Sequence, residues 1–110
     1  MDKVTEVLDH AKAWAQTMGV QWKLGKDGGI FSSCLCPLEA AFVDKHRVPI
    51  HASLPVCVKD FGFTESEGHV FVRANDWDYA YPAMWEYHNF LPFNPFLRER
   101  LCFELIGGRE

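Results

Sequence analysis

The sequence predicts a small α+β domain of mostly short helices packed around one β-hairpin. Three observations point there. Apolar residues near the N-terminus recur at helical steps, two short alternating runs flank a glycine-rich turn, and prolines and glycines cut the remainder into brief pieces. With 110 residues and 48% hydrophobic content, the chain has the size and apolar supply of one compact domain spanning residues 1–110.

The elements follow in order. Val4, Val7, Leu8, Ala11, Trp14, Ala15 and Met18 form a stripe at three- and four-residue steps, which predicts a helix over residues 3–18. Asp2 is its N-cap and Gly19 its stop. Val20 to Leu24 alternates, Gly25-Lys26-Asp27-Gly28-Gly29 is turn chemistry, and Ile30 to Cys34 returns, so a hairpin with a five-residue loop is expected. Pro37 suits the first turn of a short helix ending near Lys45, with Cys36 as its N-cap. Pro55 to Phe61 reads as another, capped by Ser53 and stopped by Gly62. Thr64-Glu65-Ser66-Glu67 has the capping-box form and predicts a helix to about Asn75, although Val70-Phe71-Val72 would also suit a strand. Pro82 opens a short helix through Asn89. Asn94-Pro95 begins the last one, with a stripe of Leu97, Leu101, Cys102 and Leu105 and an end at Gly107-Gly108.

Half of the aromatic residues fall between Trp77 and Phe96: Trp77, Tyr79, Tyr81, Trp85, Tyr87, Phe90, Phe93 and Phe96. Pro82, Pro92 and Pro95 lie in the same stretch, which excludes one uniform core helix or core strand. Rings on broken segments either plug a core from several directions or form a contact surface, and Trp and Tyr suit both.

Several short segments carry a resemblance. Gly29-Ile30-Phe31-Ser32, Cys36-Pro37-Leu38-Glu39-Ala40-Ala41, Phe61-Gly62-Phe63-Thr64 and Ala74-Asn75-Asp76 follow in an order that resembles a group of uncharacterised small bacterial proteins. That group has a G-x-I-R-S strand, a C-P-L-x-A helix and an A-N-D segment. Phe31 stands where the pattern favours a basic residue, and the tail beyond Trp77 departs from it. The resemblance implies a bacterial accessory domain from the mobile gene pool and no particular chemistry.

The net charge is −4 and the pI near 5.7, with basic residues scattered singly apart from a loose group at Arg98, Arg100 and Arg109. No basic footprint for nucleic acid results. The N-terminus opens a polar–apolar helical rhythm rather than a signal peptide, and no apolar run reaches membrane-span length, so a cytoplasmic protein with no membrane partner is expected. Phosphate-loop, dinucleotide, zinc-protease and nucleophile-elbow motifs do not occur in the sequence.

Three constellations remain. Cys34, Cys36, His46, His51 and Cys57 could supply zinc donors, but the C-x-C spacing is tight and the neighbours are apolar, so buried thiols with no metal and no cofactor are expected. Cys36 at a helix N-terminus would have a lowered thiol pKa and, with a histidine such as His51, could act as a nucleophile. Asp76, Asp78 and Glu86 with Tyr79, Tyr81 and His88 could bind a sugar, cation or amine; solvated capping groups are the plainer reading. The sequence therefore reads as a non-enzymatic binding or interaction protein for a protein or small-molecule ligand. Its expected contact residues are Trp77, Tyr79, Tyr81, Trp85 and Tyr87, and a homodimer is expected to form through them. The alternative is a small thiol-dependent or acid–base enzyme centred on Cys36 and His51.

Overall fold

The computed structural model describes residues 2–76 and 97–107. Helix α1 runs Lys3–Met18, strands β1 and β2 are Lys23–Leu24 and Ile30–Phe31, and α2 is Pro37–His46. Helix α3 is Leu54–Asp60, α4 is Glu65–Asp76, and α5 is Leu97–Leu101, continued by a wide π-helical turn over Cys102–Ile106. The α+β class read from the sequence is the one observed. The Cα radius of gyration is 12.8 Å, close to the roughly 13 Å of a compact chain of this length. Among the described residues no helix is long and apolar enough to cross a membrane.

Helices α1 and α4 begin where the sequence supplies a side-chain cap, whereas Ser53 stands at the N-cap of α3 without making a side-chain capping bond. The Asp2 carboxylate accepts from the Thr5 amide at 2.7 Å, and Gly19, with φ of 70°, closes α1 by donating to Ala15 and Gln16. Thr64 and Glu67 complete a reciprocal box: the Thr64 amide donates to Glu67 Oε1 at 2.8 Å and the Glu67 amide to Thr64 Oγ1 at 3.1 Å. This double bond settles residues 65–76 as helix against the β-branched run inside them.

The hairpin is shorter than its alternation predicts. Only Lys23 with Phe31 and Leu24 with Ile30 pair. On the first side, the Val20 amide is taken by Ala15 O at the end of α1. The Trp22 indole turns inward to donate to Ala11 O at 3.2 Å, packing against Trp14 with ring centroids 5.5 Å apart and planes tilted by 44°. On the second side, Ser32 and Leu35 exchange backbone bonds around Ser33 and Cys34, which both have positive φ. The expected strand from Ile30 to Cys34 is thus folded back after two residues by a tight reverse turn.

One apolar cluster joins every described helix. The stripe of α1 (Val4, Val7, Leu8, Ala11) meets Leu38 and Ala41 of α2, Cys57 of α3, Val70 and Phe71 of α4, and Leu97 and Leu101 of α5. A buried cation also holds the fold together. Arg98 is only 3% exposed; its Nη1 donates to Ala74 O and Asn75 O, each at 3.0 Å, and its Nη2 to Gly28 O at 2.6 Å. A single guanidinium thereby caps the C-terminal carbonyls of α4 and anchors the hairpin loop. The expected helix from Pro82 to Asn89, the start at Asn94-Pro95 and the rings Trp77, Tyr79, Tyr81, Trp85 and Tyr87 lie outside the described residues.

Candidate functional site

Two hollows share a wall made by Leu54 and Val72. The larger, about 600 Å³, is a groove between α3 and α4 whose apolar lining is Leu54, Pro55, Val58, Phe63, Gly68 and Val72; Lys59, Glu65 and His69 add its charge and polarity. Gly68 makes this groove by letting the two helices approach: a Cβ placed there would fall 2.5 Å from Val58 Cγ1. The smaller, about 200 Å³, is bounded by Cys36, Glu39, Asn75 and Asp76 and walled by Leu38, Leu54, Phe71 and Val72.

Glu39 organises the smaller pocket. Its Oε1 accepts from the Cys36 amide at 2.9 Å, the same reciprocal arrangement as Thr64 with Glu67 but with sulfur in place of the hydroxyl. Its Oε2 lies 3.5 Å from His51 Nδ1, while that nitrogen contacts Ala52 O at 2.5 Å. Glu39 thus accepts from Cys36 and lies beside His51, whose Nδ1 is taken by Ala52 O.

That placement corrects the expected chemistry of Cys36. The residue does cap α2, as its position before Pro37 predicts. Its thiol is nevertheless raised far above the ordinary range and held protonated. Burial is the main cause; the Glu39 carboxylate adds repulsion of a thiolate and accepts from the S–H, while the Glu39 amide opposes both. A helix N-terminus lowers a thiol's pKa while burial in apolar surroundings raises it, and at Cys36 burial prevails. Cys57 follows the same rule: burial, with the charges of Glu39 and Asp60, pushes its thiol up to about 11, and its Sγ donates to Ala52 O at 3.5 Å.

The remaining sulfur and imidazole donors are dispersed. Cys34 is exposed at the apex of the Ser32–Leu35 turn, and His46 pairs with Asp60 at 2.8 Å. Among the described residues no group of three or more His, Cys, Asp or Glu could hold a metal ion. Of the acidic cluster read near residue 76, Asp76 lies at the mouth of the smaller pocket; Asp78, Glu86 and His88 lie outside the described residues.

Sequence reasoning missed Glu39, Asn75 and Gly68 as site-forming residues. Glu39 carried a usable signal, since Cys36-Pro37-Leu38-Glu39 has capping-box spacing. Asn75 and Gly68 carried none, because each matters through a neighbour distant in sequence. No protein-family model, no curated protein and no solved structure matches the chain. The functional argument therefore rests on the geometry of the two hollows.

Proposed function

We propose that the chain is a non-enzymatic binding protein that engages a partner protein segment bearing aliphatic side chains beside basic ones. The observation that supports this reading is the α3–α4 groove, a concave apolar surface of about 600 Å³ in the size range of specific ligand sites. Its half-buried floor residues, Leu54, Val58 and Val72, leave apolar area for a partner to cover. Charge selects the partner's sign. The chain carries a net −4, and Glu39 and Asp76 lie just across the Leu54–Val72 wall, so a cationic segment is drawn in and an anionic one is not.

The run from Trp77 to Phe96, with Trp77, Tyr79, Tyr81, Trp85 and Tyr87 as anchors, belongs to the proposal as a second contact surface. A homodimer is its simplest assembly, because two-fold pairing covers an apolar patch in one step. A bacterial accessory role in the cytoplasm completes the proposal. The alternative of a thiol enzyme is not favoured, since the Cys36 thiol is held protonated and the His51 imidazole is turned to Ala52 O.

Two designed helical peptides with the same leucine face, one carrying lysines and the other glutamates, test the groove. On titration into the isotope-labelled protein, the lysine peptide is expected to shift the Val58, Gly68 and Val72 amides saturably, and Val58→Asp to abolish the effect. Unmoved amides, or equal binding of both peptides, overturn the groove reading. Sedimentation at micromolar concentration tests the homodimer, which a monomer throughout would rule out.

A further inference from the structure

Given the α3–α4 groove as a docking site, on which this rests, we propose that its occupant is the loop of residues 47–53 from a second copy of the chain, exchanged reciprocally about a two-fold axis. Ile50, in the middle of that loop, is 76% exposed, the most exposed large apolar side chain among the described residues. Alone this means little, since single exposed aliphatics are common on protein surfaces. The support beneath it makes the difference. The Val48 amide donates to Val43 O at 3.4 Å, holding the loop to α2, while the Cys57 amide and thiol donate to Ser53 O at 3.0 Å and Ala52 O at 3.5 Å, holding it to α3. Pro49 fixes the backbone angle just before Ile50. Ile50 is thus presented on a braced loop, and covering it costs little ordering.

Charge selects the groove as the cover. From Lys45 to Lys59 the sequence contains no Asp or Glu, although the whole chain is net −4. Lys45 and His46 are engaged by Asp60, so Arg47, exposed at the C-terminal cap of α2, supplies the charge that the loop presents. Val48 and Ile50 beside Arg47 are the aliphatic-with-basic pattern that the groove favours. The groove offers Leu54, Val58 and Val72 to Ile50 and, on its α4 rim, the exposed Glu65 to Arg47. Lys59 on the α3 rim has the loop's own sign, which sets Arg47 toward α4. Ile50 precedes Leu54 by four positions, at most about 14 Å of chain, so knob and groove are neighbours. That adjacency lets one two-fold contact seat both loops at once.

Sedimentation velocity at micromolar concentration, with and without the leucine–lysine peptide, tests the exchange. The wild type is expected to sediment as a dimer that saturating peptide converts to monomer, because both occupy one groove. Ile50→Asp removes two knobs per dimer and is expected to raise the dimer dissociation constant about a hundredfold, about tenfold for each. Arg47→Asp, also at an exposed position, is expected to raise it in the same direction. A monomeric wild type, a dimer that either substitution leaves unweakened, or a dimer that persists with peptide bound overturns the proposal. The Ile50→Asp protein keeps its groove, and there the peptide is expected to shift the Val58, Gly68 and Val72 amides. Unmoved amides in that variant refute the groove itself, a failure distinct from the other three.

Discussion

Replacing Gly68 by alanine sets two effects of opposite sign against each other, and the structure decides between them. In a helix interior the exchange gains about 1 kcal/mol from reduced backbone entropy loss. At Gly68, however, the new Cβ would lie 2.5 Å from Val58 Cγ1, 2.9 Å from Cγ2 and 3.3 Å from Cβ. Val58 is β-branched and sits on a helix, where one rotamer is strongly preferred, so it cannot swing aside as a lysine tip would. Overpacking of this kind typically costs about 1–3 kcal/mol. The net expectation is a loss of about 1 kcal/mol for Gly68→Ala. In a Val58→Ala background the two Cγ contacts are gone and only the 3.3 Å approach to Cβ remains, so the same change should gain up to about 1 kcal/mol, giving a coupling of up to about 2 kcal/mol. Urea unfolding of the four proteins of this double-mutant cycle measures it. A stabilising Gly68→Ala in the wild-type background would refute the close approach of α3 and α4, and the groove's geometry with it.

Acid stability should depend on Glu67. Its carboxyl is held below the ordinary 4.5: burial opposes this, but the Thr64 amide, the Lys3 ammonium and the Thr64 hydroxyl outweigh it. Its contribution is fully present above about pH 4.5 and is lost as pH falls through the lower folded value; Glu67→Gln should flatten that part of the urea-stability profile, and an unchanged slope would refute the assignment. Under native conditions a maleimide should label Cys34 first, because it is the exposed cysteine while burial holds the Cys36 and Cys57 thiols protonated; peptide mapping that finds Cys36 modified first contradicts this. Arg98→Met leaves three carbonyls without their donor and should cost about 3 kcal/mol or more, with Arg98→Lys recovering part. A loss below about 1 kcal/mol in urea midpoints would show that the guanidinium is not the clamp.

What the sequence made legible was local. The first helix and the helix from Glu65 to Asp76 were readable because periodicity and a side-chain cap coincide within four residues. The hairpin was half legible. Alternation reports which face a residue would occupy, but not that the Trp22 indole is drawn to Ala11 O or that the Val20 amide is taken by Ala15 O. Cys36 was placed correctly and given the wrong charge behaviour, because burial and a neighbouring carboxylate outweigh a helix dipole and neither is visible in a cysteine's sequence position. Arg98 was read only as one of a loose basic group with Arg100 and Arg109. Its burial depends on the Ala74 and Asn75 carbonyls, more than twenty residues away along the chain, and no local pattern announces such a partner. The same holds for the two hollows, which arise where α3 and α4 meet and where Asn75 turns toward Ile30.

The order in which the chain leaves the ribosome gives the α1 surface a particular history. Helix α1 is made first, and α2 can cover part of its stripe early. The remaining cover includes Leu97 and Leu101, together with the ion pair of Lys12 with Glu104 at 2.7 Å and the contact of Arg100 with Thr5, and these residues are translated long after α1. At about 5–20 residues per second, the gap from Leu8 to Leu101 corresponds to roughly 5–19 seconds during which an apolar helix face is only partly sheltered. Nascent chains of this protein should accordingly engage a ribosome-associated chaperone until α5 has emerged to complete that cover.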